Sequence, residues 1–233
     1  MRPLVIIPTY DERDNLPALI DRLLTIEALR ILIVDDASPD GTGQIADDYA
    51  AANRARVQVL HRHGKRGLGL SYIDGMYVAL RTDATHVLQM DADLSHNPAD
   101  IPRLLAAAQD ADFVVGSRYV TGGRIENWPF HRRVLSAFAN RYIRAITHIT
   151  IRDCTSGFRC WRREALERLP LASITSDGYA FIVELAWEAW RAQLRCVEVP
   201  ITFVERRNGA SKLSGVVIVE SAIVPWRLAA RPK

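Results

Sequence analysis

Short apolar runs recur along the chain, each closed by a polar or turn-forming cluster and followed by a stretch of helical spacing. Leu4-Val5-Ile6-Ile7 stops at Pro8, Ile31-Leu32-Ile33-Val34 at Asp35-Asp36, and Val87-Leu88-Gln89-Met90 at Asp91. Phe113-Val114-Val115 stops at Gly116, and Val57–Leu60 is a further run. Continuous apolar runs of this length suit strands buried on both faces of a parallel sheet. Between them the spacing predicts helices over Asn15–Leu24, Thr42–Ala52 and Gly69–Leu80, and a further one opening at Asn97-Pro98. Ser38-Pro39-Asp40-Gly41 is turn chemistry. Strand–helix alternation with short connections predicts the α/β class, a mostly parallel sheet flanked by helices. Ligands of such sheets bind beyond the carboxyl ends of the strands. Pro8–Glu12, Asp35-Asp36, Asp91–Ser95 and Ser117-Arg118 all fall at those ends, so these polar clusters are expected to meet along one sheet edge.

After Arg118 the pattern changes. Trp128 to Thr150 reads as a loop and one long helix, with Val134, Leu135, Phe138, Ala139, Tyr142, Ile143 and Ile146 on one face. From Asn127 to Arg152 no residue is acidic, while Arg132, Arg133, Arg141, Arg144 and Arg152 are basic. Two readings stand: a helix docked on the core with a solvated basic face, or a surface for anionic lipid. A strand at Phe158–Trp161, helices near Arg163–Leu169 and Tyr179–Ala192, a strand over Val197–Phe203 interrupted by Pro200, and a helix after Lys212 complete the pattern.

Composition sharpens this picture only slightly. The 233 residues, 48% hydrophobic and 24% charged, suit a single globular domain over 1–233, divisible into a first half, 1–118, and a second, 119–233. A formal net charge of +3 gives no reason to expect a nucleic-acid partner. Cys154, Cys160 and Cys196 lack metal-site spacing and suit reduced thiols in a cytoplasmic protein. No signal peptide and no transmembrane domain are expected, since no stretch reaches about 18 uninterrupted apolar residues.

The candidate chemistry centres on Met90-Asp91-Ala92-Asp93-Leu94-Ser95-His96. In extended chain, side chains at i and i+2 point the same way, so Asp91 and Asp93 can face one point. Two carboxylates held that close repel unless a cation lies between them. Oxygen donors favour Mg²⁺ or Mn²⁺, and Mg²⁺ usually completes its shell with water and a substrate's phosphates. A capped turn is the competing reading of the same residues. Gly67-Leu68-Gly69-Leu70-Ser71-Tyr72, followed by Gly75, departs from a dinucleotide fingerprint in position and in its third glycine, and reads better as a glycine-tight start of a helix. The loop Val204–Lys212 carries Arg and Lys about a glycine and could close over an anion.

Taken together, several stretches resemble a known family. V-I-I-P-T-Y-D-E at Val5–Glu12, I-V-D-D-A-S-P-D at Ile33–Asp40, M-D-A-D-L-S-H at Met90–His96 and G-S-R at Gly116–Arg118 are similar to family 2 glycosyltransferases of the GT-A fold. Gly122–Ser136, D-C-T-S-G-F at Asp153–Phe158 and R-R-N-G-A-S-K at Arg206–Lys212 resemble, within that family, the dolichol/polyprenol-phosphate mannose synthases. The resemblance implies a GT-A fold with amphipathic helices on the acceptor side, and inverting transfer of mannose from GDP-mannose to a polyprenyl monophosphate. UDP-glucose as donor, a sugar hydroxyl as acceptor and a non-catalytic membrane-surface module are the alternatives. It implies a nucleoside pocket of Pro8, Tyr10, Glu12, Val34 and Asp36, and a metal–diphosphate site of Asp91, Ala92 and Asp93 with Mg²⁺ or Mn²⁺. Ser95 stands where some relatives place a third ligand. Arg118, Arg132 and Ser136 would receive the acceptor phosphate, with Asp93, Arg118 and Arg132 the catalytic set, while Arg206 and Lys212 would close over the donor diphosphate. Asp153 and Asp177 are candidate bases should the acceptor be a hydroxyl; otherwise Asp153 reads as a turn or helix-end cap and Asp177 as the start of an Asp-Gly turn. The chain stops at Lys233, so a catalytic domain held peripherally at the cytoplasmic face of a membrane is expected, with room for an anchoring partner protein.

Overall fold

The computed structural model describes residues 1–63, 67–176, 178–205 and 215–231. The apolar runs form β1 (Pro3–Thr9), β2 (Arg30–Asp35), β3 (Val57–His61), β4 (His86–Gln89) and β5 (Phe113–Ser117). Between them lie α1 (Leu16–Leu24), α2 (Thr42–Ala52), α3 (Leu68–Leu80) and α4 (Ile101–Ala107), the last preceded by a 3₁₀ turn over Pro98–Asp100. Every residue of β1, β4 and β5 is buried, as continuous apolar runs require. Helices cover both faces, so the core divides in two. Ile6, Val34, Tyr72 and Phe181 lie in one part, and Ile7, Leu16, Ile33 and Leu104 in the other.

The second half of the chain completes the same sheet. Its order is β3-β2-β1-β4-β7-β5-β8, with β7 (Arg159–Arg162) antiparallel to both β4 and β5, and β8 (Cys196–Pro200) parallel to β5. Residues 1–118 and 119–233 therefore share one sheet. Trp161 anchors β7 by stacking on Phe113, with ring centroids 4.5 Å apart, and by donating Nε1–H to Gln89 Oε1 at 2.8 Å. The run Val197–Phe203 splits rather than forming one interrupted strand. Pro200 ends β8, and β9 (Thr202–Val204) pairs in parallel with β6 (Arg124–Glu126) as a separate ribbon.

Beyond the sheet come α5 (Phe130–Thr147), α6 (Arg163–Glu167), α7 (Gly178–Arg191) and α8 (Gly215–Ala229). The apolar face of α5 does not dock on the core along its length. Only Asn140, Ile143 and Thr147 are buried, while Val134, Leu135 and Phe138 are exposed, Phe138 at 63%. Tyr142 ties α5 to α8, donating to Ala222 O and accepting from Trp226 Nε1, each at 2.9 Å. Among the described residues no helix is long and apolar enough to cross a membrane. The three cysteines are free, and burial raises each thiol above its ordinary value, to about 12 for Cys154, so none is a thiolate nucleophile near neutral pH.

Candidate active site

The chain leaves β4 at Gln89 and bends, with Leu94 at φ +60°. The extended continuation expected for Asp91–Asp93 is thus replaced by a bend. The alternation survives it: Ala92 turns into the core, while Asp91 and Asp93 line one cavity. Both carboxylates are held. Tyr72 donates its hydroxyl to Asp91 Oδ1 at 3.0 Å, and His96 Nε2 lies 3.6 Å from Asp91 Oδ2. Asp93 Oδ1 accepts from the Ser95 amide at 3.1 Å, so a capped turn and a carboxylate pair coexist in the same residues. Burial first, and then the charge of Asp91, push the Tyr72 phenol well above its ordinary value, so it stays protonated and donates. The Ser95 hydroxyl and His96 Nδ1 are buried without hydrogen-bond partners among the described residues.

Arg118 leaves the end of β5 and is clamped by Asp153. Its backbone N–H and Nε donate to Asp153 Oδ2 at 2.9 and 2.8 Å, and Nη2 donates to Asp153 Oδ1 and to Thr155 Oγ1, both at 2.7 Å. The rings of Tyr119 and Phe203 lie 5.4 and 5.3 Å from the guanidinium carbon. Burial alone would lower an arginine and raise a carboxyl. The ion pair overrides both, pushing Arg118 up and holding Asp153 below the usual carboxylate range. Asp153 opens a turn, its carbonyl accepting from Ser156 N at 3.4 Å and its Oδ1 from Thr155 Oγ1–H at 3.3 Å, but its carboxylate is committed to Arg118 and does not line the cavity as a base would.

Arg132, on the first turn of α5, lies 4.1 Å from the Trp128 ring centroid and donates through Nη1 to Glu205 at 2.6 Å. Its Nε is buried without a partner among the described residues. One helical turn on, the Ser136 hydroxyl accepts from Tyr119 Oη–H at 2.7 Å. A single cavity of about 410 Å³ joins these groups. Its lining combines Asp91, Asp93, Ser95, Arg118, Arg132 and Ser136 with apolar side chains of α5, α7 and α8, among them Leu135, Phe138, Val183 and Val224.

The residues expected to receive a nucleoside, Pro8, Tyr10, Glu12, Val34 and Asp36, lie at neighbouring strand ends and do not line this cavity. Pro8 pairs with Val34 across β1 and β2, and the Asp36 amide donates to Thr9 O at 3.0 Å. The Asp36 carboxylate accepts from Gly67 N at 2.7 Å and from Arg62 Nη1, which ties the end of β2 to the start of α3. Glu12 accepts from Asn15 Nδ2 at 2.8 Å, and its own amide donates to Thr42 Oγ1 at 3.0 Å. Tyr10, half-buried, follows β1. Arg206, Lys212 and Asp177 lie outside the described residues. Tyr72, His96, Trp128 and Phe203 join the site without any mark in the sequence that gives them a role there. His96 was within reach because it closes the aspartate motif; the others contact the site only through folding.

The family described as "Glycosyl transferase family 2" matches residues 4–170. The chain is 47% identical over 234 residues to the polyprenol monophosphomannose synthase of Mycolicibacterium smegmatis, covering 99% of this chain and 88% of that protein. It is 45% identical over 234 residues to the undecaprenyl-phosphate mannosyltransferase of Micrococcus luteus, covering 99% and 96%. Among solved structures, glucosyl-3-phosphoglycerate synthase from Mycobacterium tuberculosis, in complex with Mn²⁺, UDP-glucose and phosphoglyceric acid, superposes with a TM-score of 0.70 at 17% identity, covering 99% of this chain and 80% of that one.

Proposed function

The chain belongs to glycosyl transferase family 2 and has the GT-A fold, and from that premise we propose that it transfers mannose, with inversion, from GDP-mannose to a polyprenyl monophosphate. The observation that carries this reading is one cavity whose lining joins the charged groups Asp91, Asp93, Arg118 and Arg132 to apolar side chains of α5, α7 and α8. A lipid phosphate has that same division: an anionic head and a hydrocarbon tail. The two relatives at 47% and 45% identity, named for mannosyl transfer to polyprenyl carriers, support it.

A phosphate monoester has a second pKa of about 6, so at neutral pH it already offers an anionic oxygen. It needs steering more than a base. Arg118 and Arg132, each held by a carboxylate, would present guanidinium N–H groups to it, and Ser136 a hydroxyl. An acceptor oxygen attacks the anomeric carbon while the bond to the diphosphate breaks, its electron pair leaving with the diphosphate. Asp91 and Asp93 fit a divalent cation: both are oxygen donors, and glycine at 157 keeps a side chain from crowding Asp91, since a Cβ there would lie 3.3 Å from Oδ2. Mg²⁺ or Mn²⁺ held by these carboxylates, with Ser95 beside them, would neutralise charge on the departing diphosphate. Arg206 and Lys212 would add fixed charge there, and Pro8, Tyr10, Glu12, Val34, Ala92 and Asp36 would receive the nucleoside diphosphate.

A donor panel tests the reading. With a short polyprenyl phosphate, label is expected to enter the lipid from GDP-mannose at least about tenfold faster than from UDP-glucose, a margin of ~1.4 kcal/mol in the barrier. Faster transfer from UDP-glucose would overturn the donor, and label appearing only on a sugar hydroxyl would overturn the acceptor.

The exposed side chains of Phe130, Phe138, Ile223 and Trp226 stand on α5 and α8, which also contribute apolar side chains to the cavity, with Arg133 and Arg141 exposed on α5. Such a surface suits peripheral contact with the cytoplasmic face of an anionic membrane. Vesicles containing phosphatidylglycerol should sediment the protein, salt should release it, and Phe138→Asp should weaken binding several-fold while GDP-mannose affinity stays unchanged. Indifference to vesicles of every composition would leave an anchoring partner as the only route to the lipid substrate.

A further inference from the structure

The glycine-rich start of α3 has no part in the reaction as derived so far. In the fold its glycines are spacers. A Cβ on Gly69 would come within 2.8 Å of Ser176 O and 3.0 Å of Phe181, and one on Gly75 within 2.6 Å of Ile6 Cγ2. Their absence of side chains seats α3 against the segment leading into α7 on one side and against β1 on the other. Between them Tyr72 is fully buried, stacked on Phe181 with centroids 5.9 Å apart and planes at 7°. Phenylalanine would fill that place as well, and a buried phenol without a partner is costly. The hydroxyl is justified by its hydrogen bond to Asp91 Oδ1 at 3.0 Å.

We infer that Tyr72 is a positioning residue for the Asp91 carboxylate: by holding Oδ1 it fixes the rotation that leaves Oδ2 toward His96, which lines the cavity. The inference rests on the proposed role of Asp91 as a donor to a divalent cation. Groups that orient a metal-binding carboxylate from behind are worth roughly 10- to 100-fold in metal affinity. Tyr72 holds the carboxylate without touching substrate. It is fully buried and does not line the cavity.

Tyr72→Phe tests this, because the ring keeps its stack and only the hydroxyl is lost. Mn²⁺ binding would be followed by the disappearance of the aqueous Mn²⁺ EPR signal in the presence of GDP, with UDP in a parallel series. The expected result is roughly 10- to 100-fold weaker Mn²⁺ binding. The Mn²⁺ concentration giving half-maximal rate should rise by the same factor, the KM for the polyprenyl phosphate should stay within about twofold, and kcat should recover at saturating Mn²⁺. A purely structural role would lower the melting temperature without moving the Mn²⁺ constant, and that result overturns the inference. Asp93→Ala separates the two levels. If it abolishes Mn²⁺ binding while Tyr72→Phe leaves it intact, the positioning role fails and the proposed function stands. If Asp93→Ala also binds Mn²⁺ normally, both fail together.

Discussion

Asp93→Ala is expected to abolish transfer while the protein stays folded. Asp93 is only half-buried and lines the cavity, and the bond it accepts from the Ser95 amide is a local turn contact. Losing a contact of that kind costs about 1 kcal/mol. The catalytic cost is larger. On the proposed role, a divalent cation would keep a single anionic donor from this motif, and the charge on the leaving diphosphate would be less well neutralised as the bond breaks. A fall in kcat/KM of at least ~1,000-fold corresponds to ~4 kcal/mol of lost transition-state stabilisation. In calorimetry, Mn²⁺ should strengthen GDP-mannose binding to the native protein and not to Asp93→Ala. Equal donor affinity in the native protein with and without metal would remove the basis of the expectation.

Breaking the Arg118–Asp153 pair should have the largest effect on stability. Both side chains are buried, and the pair is joined by two guanidinium bonds and a backbone amide. Removing one member of such a pair strands the other charge out of water, typically at ~3–5 kcal/mol. Asp153→Ala is therefore expected to unfold at much lower urea than the native protein. Arg118→Lys should not rescue Arg118→Ala fully, since lysine cannot make the fork. The pH dependence has a definite sign. The carboxyl of Asp153 is held below its ordinary value of 3.8 when folded, so its contribution is complete above that value. It is lost as pH falls through the lower, folded value. Urea midpoints should drop as the solution is acidified below about pH 4, and this acid limb should flatten in Asp153→Asn. A limb of equal depth in Asp153→Asn would show that other carboxyls set the acid sensitivity. The same pair bears on the reaction: with its carboxylate committed to Arg118, Asp153 is no base, in keeping with an acceptor that arrives already ionised.

The strands β1, β2, β4 and β5 were legible in the sequence because a strand buried on both faces needs a short unbroken apolar run, and that requirement is local. So were Asp91 and Asp93, since they follow such a run directly, and the helical spacing of α5. What α5 faces was not legible. The same period serves a helix packed on a core and one whose Val134 and Phe138 meet solvent, and the choice depends on where α7 and α8 lie. The insertion of β7 between β4 and β5 and the pairing of β6 with β9 escaped for a related reason. Phe158–Trp161 and Val197–Phe203 read as strands, but a run does not name its partners, which the whole sheet chooses, and the three residues of β6 are too few to show a period. Asp153 was visible as an acid, yet its partner stands 35 residues away, and only burial of both turns a turn-like aspartate into the clamp on Arg118. Tyr72 is the clearest case. Glycines at 69 and 75 announced a close approach without saying to what, and the hydroxyl's target, 19 residues on, came within reach only when α3 settled against the sheet. Local chemistry along the chain determined the elements and the kinds of group at their ends; which groups touch was decided by tertiary packing, because a hydrogen bond or an ion pair depends on distance in space and carries no mark of distance in sequence.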